Sequence, residues 1–109
     1  MEVSSPFGSG TRTQVLLALR LLDESYPREL TRVLGAPLSV VQKGLKTLER
    51  DGLIAGRAVG RNRVFRLNPR YFAYAELERF LNRLLEPDQA LKARAARLRR
   101  RPRRTGKRL

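Results

Sequence analysis

The sequence contains neither cysteine nor histidine, and its 10 acidic residues are outnumbered by 24 Lys and Arg. Without cysteine there is no disulfide framework, no thiolate metal site and no thiol redox switch. Without histidine as well, few ways remain to hold zinc or copper, and the commonest general base is missing. There is no Gly-rich phosphate loop, and no pair of acids is placed for acid–base work. Glu76 and Glu78 read as the solvated edge of a helix. An enzyme is not expected, nor a metal or cofactor. No apolar run approaches the roughly 20 residues that a membrane-spanning helix needs, so no membrane partner is expected. The N-terminus lacks the pattern of a signal peptide, and an intracellular location is the simplest expectation. Internal repeats are absent.

Positive charge is in excess and unevenly spread, within a formal net charge of +14. Residues 1–91 carry 14 Lys/Arg and all 10 acids, whereas the last 18 residues carry 10 Lys/Arg and no acid. A mildly basic body with a strongly basic tail suits a nucleic acid or another anionic surface, a merely solubilising tail being the alternative. At 109 residues the chain is long enough for one domain with a core of its own.

The residues before Thr11 read as a short Ser/Gly-rich lead-in that Phe7 could anchor. A helix is predicted from Thr11 to Glu24, capped by Ser9 or Thr11. Its apolar residues occupy two sides, Val15, Leu19 and Leu22 on one and Leu17 and Leu21 nearly opposite. One stripe suffices for a helix lying on one side of a domain, so two imply burial from both sides. A second short helix starts at Pro27, shows Leu30, Val33 and Leu34 as its apolar side, and ends at Gly35.

Residues 35–67 are the most informative. A turn through Gly35-Ala36-Pro37 leads into a helix from Leu38 to Asp51, stopped by Gly52. At 3.6 residues per turn, Val41, Leu45 and Leu48 fall in one narrow arc, with Ser39, Lys43, Lys46 and Arg50 opposite. One face can pack on a core while the other offers hydroxyl and cationic groups to a polyanion. Gly44, on the flank, costs roughly 1 kcal/mol relative to Ala. It either allows close approach of a helix or of DNA, or is simply tolerated. A hairpin follows, with strands from Leu53 to Val59 and from Arg63 to Leu67. Arg57, Arg61 and Arg63 surround the turn Gly60-Arg61-Asn62, and Asn68-Pro69 closes the second strand. A helix sized for the major groove beside a cationic hairpin is a way to hold duplex DNA.

A long helix is predicted from Tyr71 to Leu85. Tyr71, Ala73, Tyr74, Leu77, Phe80, Leu81, Leu84 and Leu85 cover about half its circumference, wider than the roughly 100° that one packing surface requires. Together with Leu17 and Leu21, this surplus predicts a homodimer whose interface draws on Tyr74, Leu77, Leu81 and Leu84. Beyond Pro87, Leu91, Ala95 and Leu98 have helical spacing, although repulsion among the cations opposes a helix in isolation. A further helix could form there, ended by Pro102, and the remaining RRTGKRL reads as disordered. Truncation after Leu91 is expected to leave melting unchanged, since little core would be removed.

The run from Phe7 to Leu85 resembles the winged helix-turn-helix repressors of the ArsR-like superfamily. The residues that carry the resemblance are Arg28-Glu29-Leu30, Leu34-Gly35, Val41 to Leu45, Leu48 to Ile54, Gly60-Arg61 and Phe65-Arg66-Leu67. The resemblance implies an α+β, mainly helical fold: a winged helix-turn-helix with a three-helix core, a β-hairpin wing and a long C-terminal dimerisation helix. On that basis residues 1–10 are a lead-in, 11–86 the DNA-binding domain and 87–109 an Arg-rich extension. It also implies a homodimer on operator DNA, with recognition by Ser39, Val40, Gln42, Lys43 and Lys46. Arg57, Arg61, Asn62 and Arg63 would serve the wing. The family's best-known members sense metals through Cys and His, which this chain lacks, so metal-triggered release is not expected.

Two functions are therefore weighed. The first is a sequence-specific regulator of transcription, a repressor, cytoplasmic and nucleoid-associated. In it Lys43 and Lys46 reach guanine or phosphates and Gln42 reads adenine. The second is a winged-helix module that binds protein or RNA, with the lysines merely solvated. A small-molecule effector is left open.

Overall fold

The computed structural model describes Phe7 and residues 10–100. Ser9, the remaining lead-in residues and residues 101–109, on which expectations of a cap, a loose start and a disordered end fall, lie outside the described residues. The elements in order are α1 (Gly10–Leu22), β1 (Glu24–Ser25), α2 (Pro27–Leu34), α3 (Leu38–Arg50), β2 (Ile54–Val59), β3 (Asn62–Leu67), α4 (Tyr74–Leu85) and α5 (Gln89–Arg100). The protein is α+β and mainly helical, with an antiparallel sheet ordered β1-β3-β2. That arrangement is compatible with a winged helix.

Helix α1 is the centre of the molecule. Every residue from Val15 to Leu19 is at most 2% exposed, because α2, α3, α4, α5 and β3 all pack on it. Each fully buried leucine, such as Leu16 or Leu19, contributes about 1.5–3 kcal/mol. Thr11 lies inside this helix rather than capping it. The helix also ends before Glu24. Asp23 takes a left-handed conformation with φ 71°, and its amide donates to the Leu19 carbonyl at 2.9 Å. Glu24 and Ser25 then pair with Arg66 and Phe65 as a third strand. In the same corner, the Ser25 hydroxyl donates to the buried Glu29 carboxylate at 2.7 Å.

Glycines end the next two helices. Gly35, at φ 66°, closes α2 with its amide on the Thr31 carbonyl. At the end of α3 the Gly52 amide donates to the Glu49 carbonyl and the Leu53 amide to the Leu48 carbonyl, both at 3.0 Å. This is the doubly bonded left-handed cap in which buried Leu53 also meets buried Leu48. The chain turns directly from α3 into β2.

Helix α4 begins at Tyr74, three residues later than the apolar pattern predicts. Asn68 is the reason. Its amide group donates to the Gly52 carbonyl at 2.9 Å, and its side-chain oxygen accepts from the Arg70 amide at 3.0 Å. Residues 69–73 are thereby held in turns.

Helix α5 corrects two expectations. Asp88 caps it through the Leu91 amide at 3.1 Å. Leu91 and Ala95 are buried, with Leu98 packed beside them. The guanidinium of Arg94 donates to the Val33 carbonyl at 2.5 Å and that of Arg99 to the Leu21 carbonyl. Two α5 cations thus satisfy carbonyls at the ends of α2 and α1, where positive charge is favoured. Residues 89–100 therefore belong to the domain, and truncation after Leu91 removes core.

Part of the surplus apolar surface is covered within the chain. Leu17 is 2% exposed, Leu77 5% and Leu81 0%. The expectation that these three face a second subunit is corrected, because α4 and α5 of the same chain cover α1. Leu21, Tyr74 and Leu84 are half-buried against the same core.

Candidate nucleic-acid interface

Helix α3 sorts its residues as its period predicts. Val41, Gly44, Leu45 and Leu48 are buried, while Ser39, Val40, Gln42, Lys43, Lys46 and Arg50 are exposed. Gly44 faces α1: a Cβ there would lie 3.5 Å from Thr11 and 3.9 Å from Val15. The contact with α1 is loose enough for a methyl group, so of the two readings of this glycine close approach does not require it and a tolerated cost remains. Neither Lys43 nor Lys46 has an ion pair or hydrogen bond with a described residue. Arg50 differs, since it donates to Asp51 at 3.1 Å. Asp51 also accepts from Arg12 of α1 at 2.9 Å. These hydrogen bonds, that from Arg12 foremost, hold the Asp51 carboxyl below its ordinary pKa.

The β2–β3 hairpin pairs Val59 with Asn62 across a loop of Gly60 and Arg61. Gly60 takes the positive φ of 61° that the first position of such a turn favours. The register pairs Arg57 with Val64 and Ala58 with Arg63. Directly paired residues share a face and neighbours alternate, so Arg57 and Arg63 lie on opposite faces of the hairpin. Gly56 stands across from Phe65, and a Cβ there would come within 2.9 Å of the Phe65 ring.

The four predicted hairpin residues are thus not one cationic surface. Arg57 pairs with Glu24 at 2.9 Å and Arg63 with Glu49 of α3 at 2.7 Å, while the Arg63 guanidinium also lies 5.6 Å from the Phe65 ring centroid. Arg61 and Asn62, at the tip, are exposed and have no such partner among the described residues. Exposed Val40 on α3 and exposed Val59 at the tip add apolar contact area to this side-chain set.

Two exposed cations of α2, Arg28 and Arg32, were not among the predicted residues. Their i,i+4 spacing, on the side away from Leu30 and Val33, is the signal that could have found them. Arg32 touches the Tyr26 hydroxyl at 3.4 Å, and neither has an acidic partner among the described residues.

Chemically, the set offers amide and ammonium donors on one helix face and a guanidinium at a hairpin tip. Base edges and phosphates are ligands for such groups. No helix among the described residues is long and apolar enough to cross a membrane. No protein-family model and no curated protein matches the chain.

Proposed function

We propose that this chain is a sequence-specific, double-stranded DNA-binding regulator of transcription, acting as a repressor in the cytoplasm at the nucleoid. One observation carries the reading: Ser39, Val40, Gln42, Lys43 and Lys46 are all exposed on the outward face of α3, and both lysines lack an acidic partner among the described residues. On this reading α3 enters the major groove. Gln42 and the lysines read base edges, and the β2–β3 hairpin is a wing whose tip residue Arg61 meets the backbone or the minor groove. The order of three helices, a hairpin and a further helix supports the resemblance to ArsR-like repressors.

The chain acts as a homodimer on DNA, since twofold symmetry offers two α3 helices to half-sites about 34 Å, or one turn, apart. The surface available for this contact is the half-buried set Leu21, Tyr74 and Leu84, with Phe80, which is 43% exposed. Light scattering at micromolar concentration tests it, a monomer counting against it.

The decisive experiment is a titration of the protein with random duplex DNA, single strands and RNA at two salt concentrations. A preference for duplex, with affinity falling steeply in salt, is expected. Equal binding to all three, or a preference for RNA, replaces this reading with that of an interaction module.

A further inference from the structure

A cavity of about 210 Å3 lies between the end of α1, the root of β3 and the start of α4. Its polar lining comes from Arg20, Asp23, Arg66, Tyr74 and Glu78, with Leu19 and Leu67 beside them. Its residues belong to none of the exposed α3 and hairpin-tip surface described above.

Two arginines and two acids line it, and neither arginine is paired with either acid. The side chains of Arg20 and Arg66 make no hydrogen bond or ion pair with any described residue. Arg20 is only partly exposed, and its Nε is buried with no hydrogen-bond partner. The acids of the lining are engaged otherwise. Glu78 accepts from the Tyr74 hydroxyl at 3.1 Å, and Asp23 turns to Arg99 of α5 at 3.7 Å. Burial and then the hydrogen bond to Glu78 raise the Tyr74 pKa, while the charges of Arg20 and Arg66 act on the same hydroxyl in the opposite sense. Both arginines line the one cavity.

We propose that this cavity binds a small oxyanion, a carboxylate or phosphate compound, between Arg20 and Arg66. A guanidinium presents a planar fork of N–H donors that matches carboxylate and phosphate oxygens in pairs, and neither Arg20 nor Arg66 has such an acceptor among the described residues. The cavity of about 210 Å3 has room for a small acid. A bound anion joins the hairpin root at Arg66 to α1 at Arg20, so it ties two elements together and raises thermal stability by mass action. The site does not depend on the DNA reading, and it is tested without DNA.

The full chain is titrated with sodium phosphate and, separately, with disodium succinate, ionic strength being held constant with sodium chloride. Melting temperature and backbone amide NMR shifts are followed. A saturable rise in Tm with at least one probe is expected, with shifts centred on the amides of Arg20, Asp23, Arg66 and Tyr74. Arg20→Gln and Arg66→Gln each weaken binding about tenfold or more, the loss expected for a charged hydrogen bond. Arg97→Gln, which removes the same charge from an exposed position on α5, leaves it unchanged. Shifts confined to α3, α5 or the tail, no saturable shift with either probe, or an affinity in both cavity variants equal to that of the unaltered chain overturns the proposal. The NMR map of the unaltered chain decides the matter even where a variant fails to fold.

Discussion

The guanidinium of Arg63 on β3 donates to the carboxylate of Glu49 on α3 at 2.7 Å. This bond joins the hairpin to the helix that carries Lys43 and Lys46. It also neutralises a cation that the sequence alone assigns to a polyanion. An exposed pair of this kind contributes only about 0–1 kcal/mol, so its removal leaves the fold intact. Glu49→Gln therefore has little effect on melting but frees Arg63 and deletes a negative charge beside the proposed DNA surface. Affinity for duplex DNA should rise several-fold. The slope of log affinity against log salt should steepen by about 0.9 for each new phosphate contact. Fluorescence anisotropy across a salt series checks this, and an unchanged slope assigns Arg63 a purely structural part.

Substitutions on α3 and at the hairpin tip should separate specificity from affinity. Gln42→Ala and Lys43→Ala remove exposed side chains that have no partner among the described residues, so the fold should be unaffected. Each should lower affinity for a selected site more than for random duplex, by about 1–3 kcal/mol of discrimination where the contact is bidentate to a base. Arg61→Ala should weaken both duplexes alike if its partner is phosphate, or change preference at A·T pairs if it enters the minor groove. Competition binding with genomic fragments gives the ratio. A ratio that no α3 substitution alters removes α3 from the major groove.

How far the sequence discloses this arrangement depends on the range of the interactions involved. Pro27, Gly35 and Gly52 act within a turn of their own positions, so α2 and α3 lie close to where local chemistry puts them. Strand β1 is invisible because Glu24 and Ser25 become a strand only through pairing with Arg66 and Phe65. The late start of α4 depends on Asn68 reaching back to Gly52. The α5 helix is favoured by bonds from Arg94 and Arg99 to the ends of α2 and α1, which no local repulsion argument contains. At the candidate interface, exposure on α3 follows from the helical period. The neutralising partners of Arg57 and Arg63 come from Glu24 and Glu49, distant in sequence. The opposite facing of Arg57 and Arg63, by contrast, follows from the pleat once a loop of Gly60 and Arg61 fixes the register.

Gly44 and Gly56 should respond to alanine with opposite sign. The added methyl at Gly44 meets Thr11 and Val15 at ordinary contact distances. Gly44→Ala therefore gains helix propensity and stabilises the protein by about 0.5–1 kcal/mol. At Gly56 the methyl meets the Phe65 ring at 2.9 Å. Gly56→Ala has to displace a buried aromatic ring and should destabilise by about 1–3 kcal/mol. Urea unfolding of both variants checks the pair, and a destabilised Gly44→Ala means that α1 and α3 approach more tightly than these distances allow.

Asp51 links α1 and α3 through Arg12, and its carboxyl pKa is depressed first by that hydrogen bond and next by the one from Arg50. A carboxyl with a lowered folded pKa stabilises the fold above its unfolded value, near 3.8 here. That contribution is lost as pH falls through the folded pKa. Asp51→Asn should lower Tm modestly at pH 7, and the two melting curves should converge as pH falls below 3.8 and through the lowered folded pKa. A difference in Tm that is constant across that range would show that the asparagine disturbs the α3 cap rather than removing charge.

Two C-terminal truncations should have separable effects. Cutting after Leu91 removes Ala95 and Leu98 from the core and the donors from Arg94 and Arg99 to the ends of α2 and α1. Loss of such buried groups costs about 2–5 kcal/mol, a large part of a small domain's stability, so Tm should fall sharply. Cutting after Arg100 leaves those contacts in place and removes Arg101, Arg103, Arg104, Lys107 and Arg108 with no acid among them. Melting should then stay as it is. Affinity for all duplexes should fall together, and the salt slope should flatten by up to about 4.5 per chain, since each phosphate neutralised contributes about 0.9. Calorimetry separates the first effect and anisotropy the second. An unchanged salt slope after the shorter cut makes those five cations solubilising groups only, and an unchanged Tm after the longer cut contradicts the packing of α5 on α1 and α2.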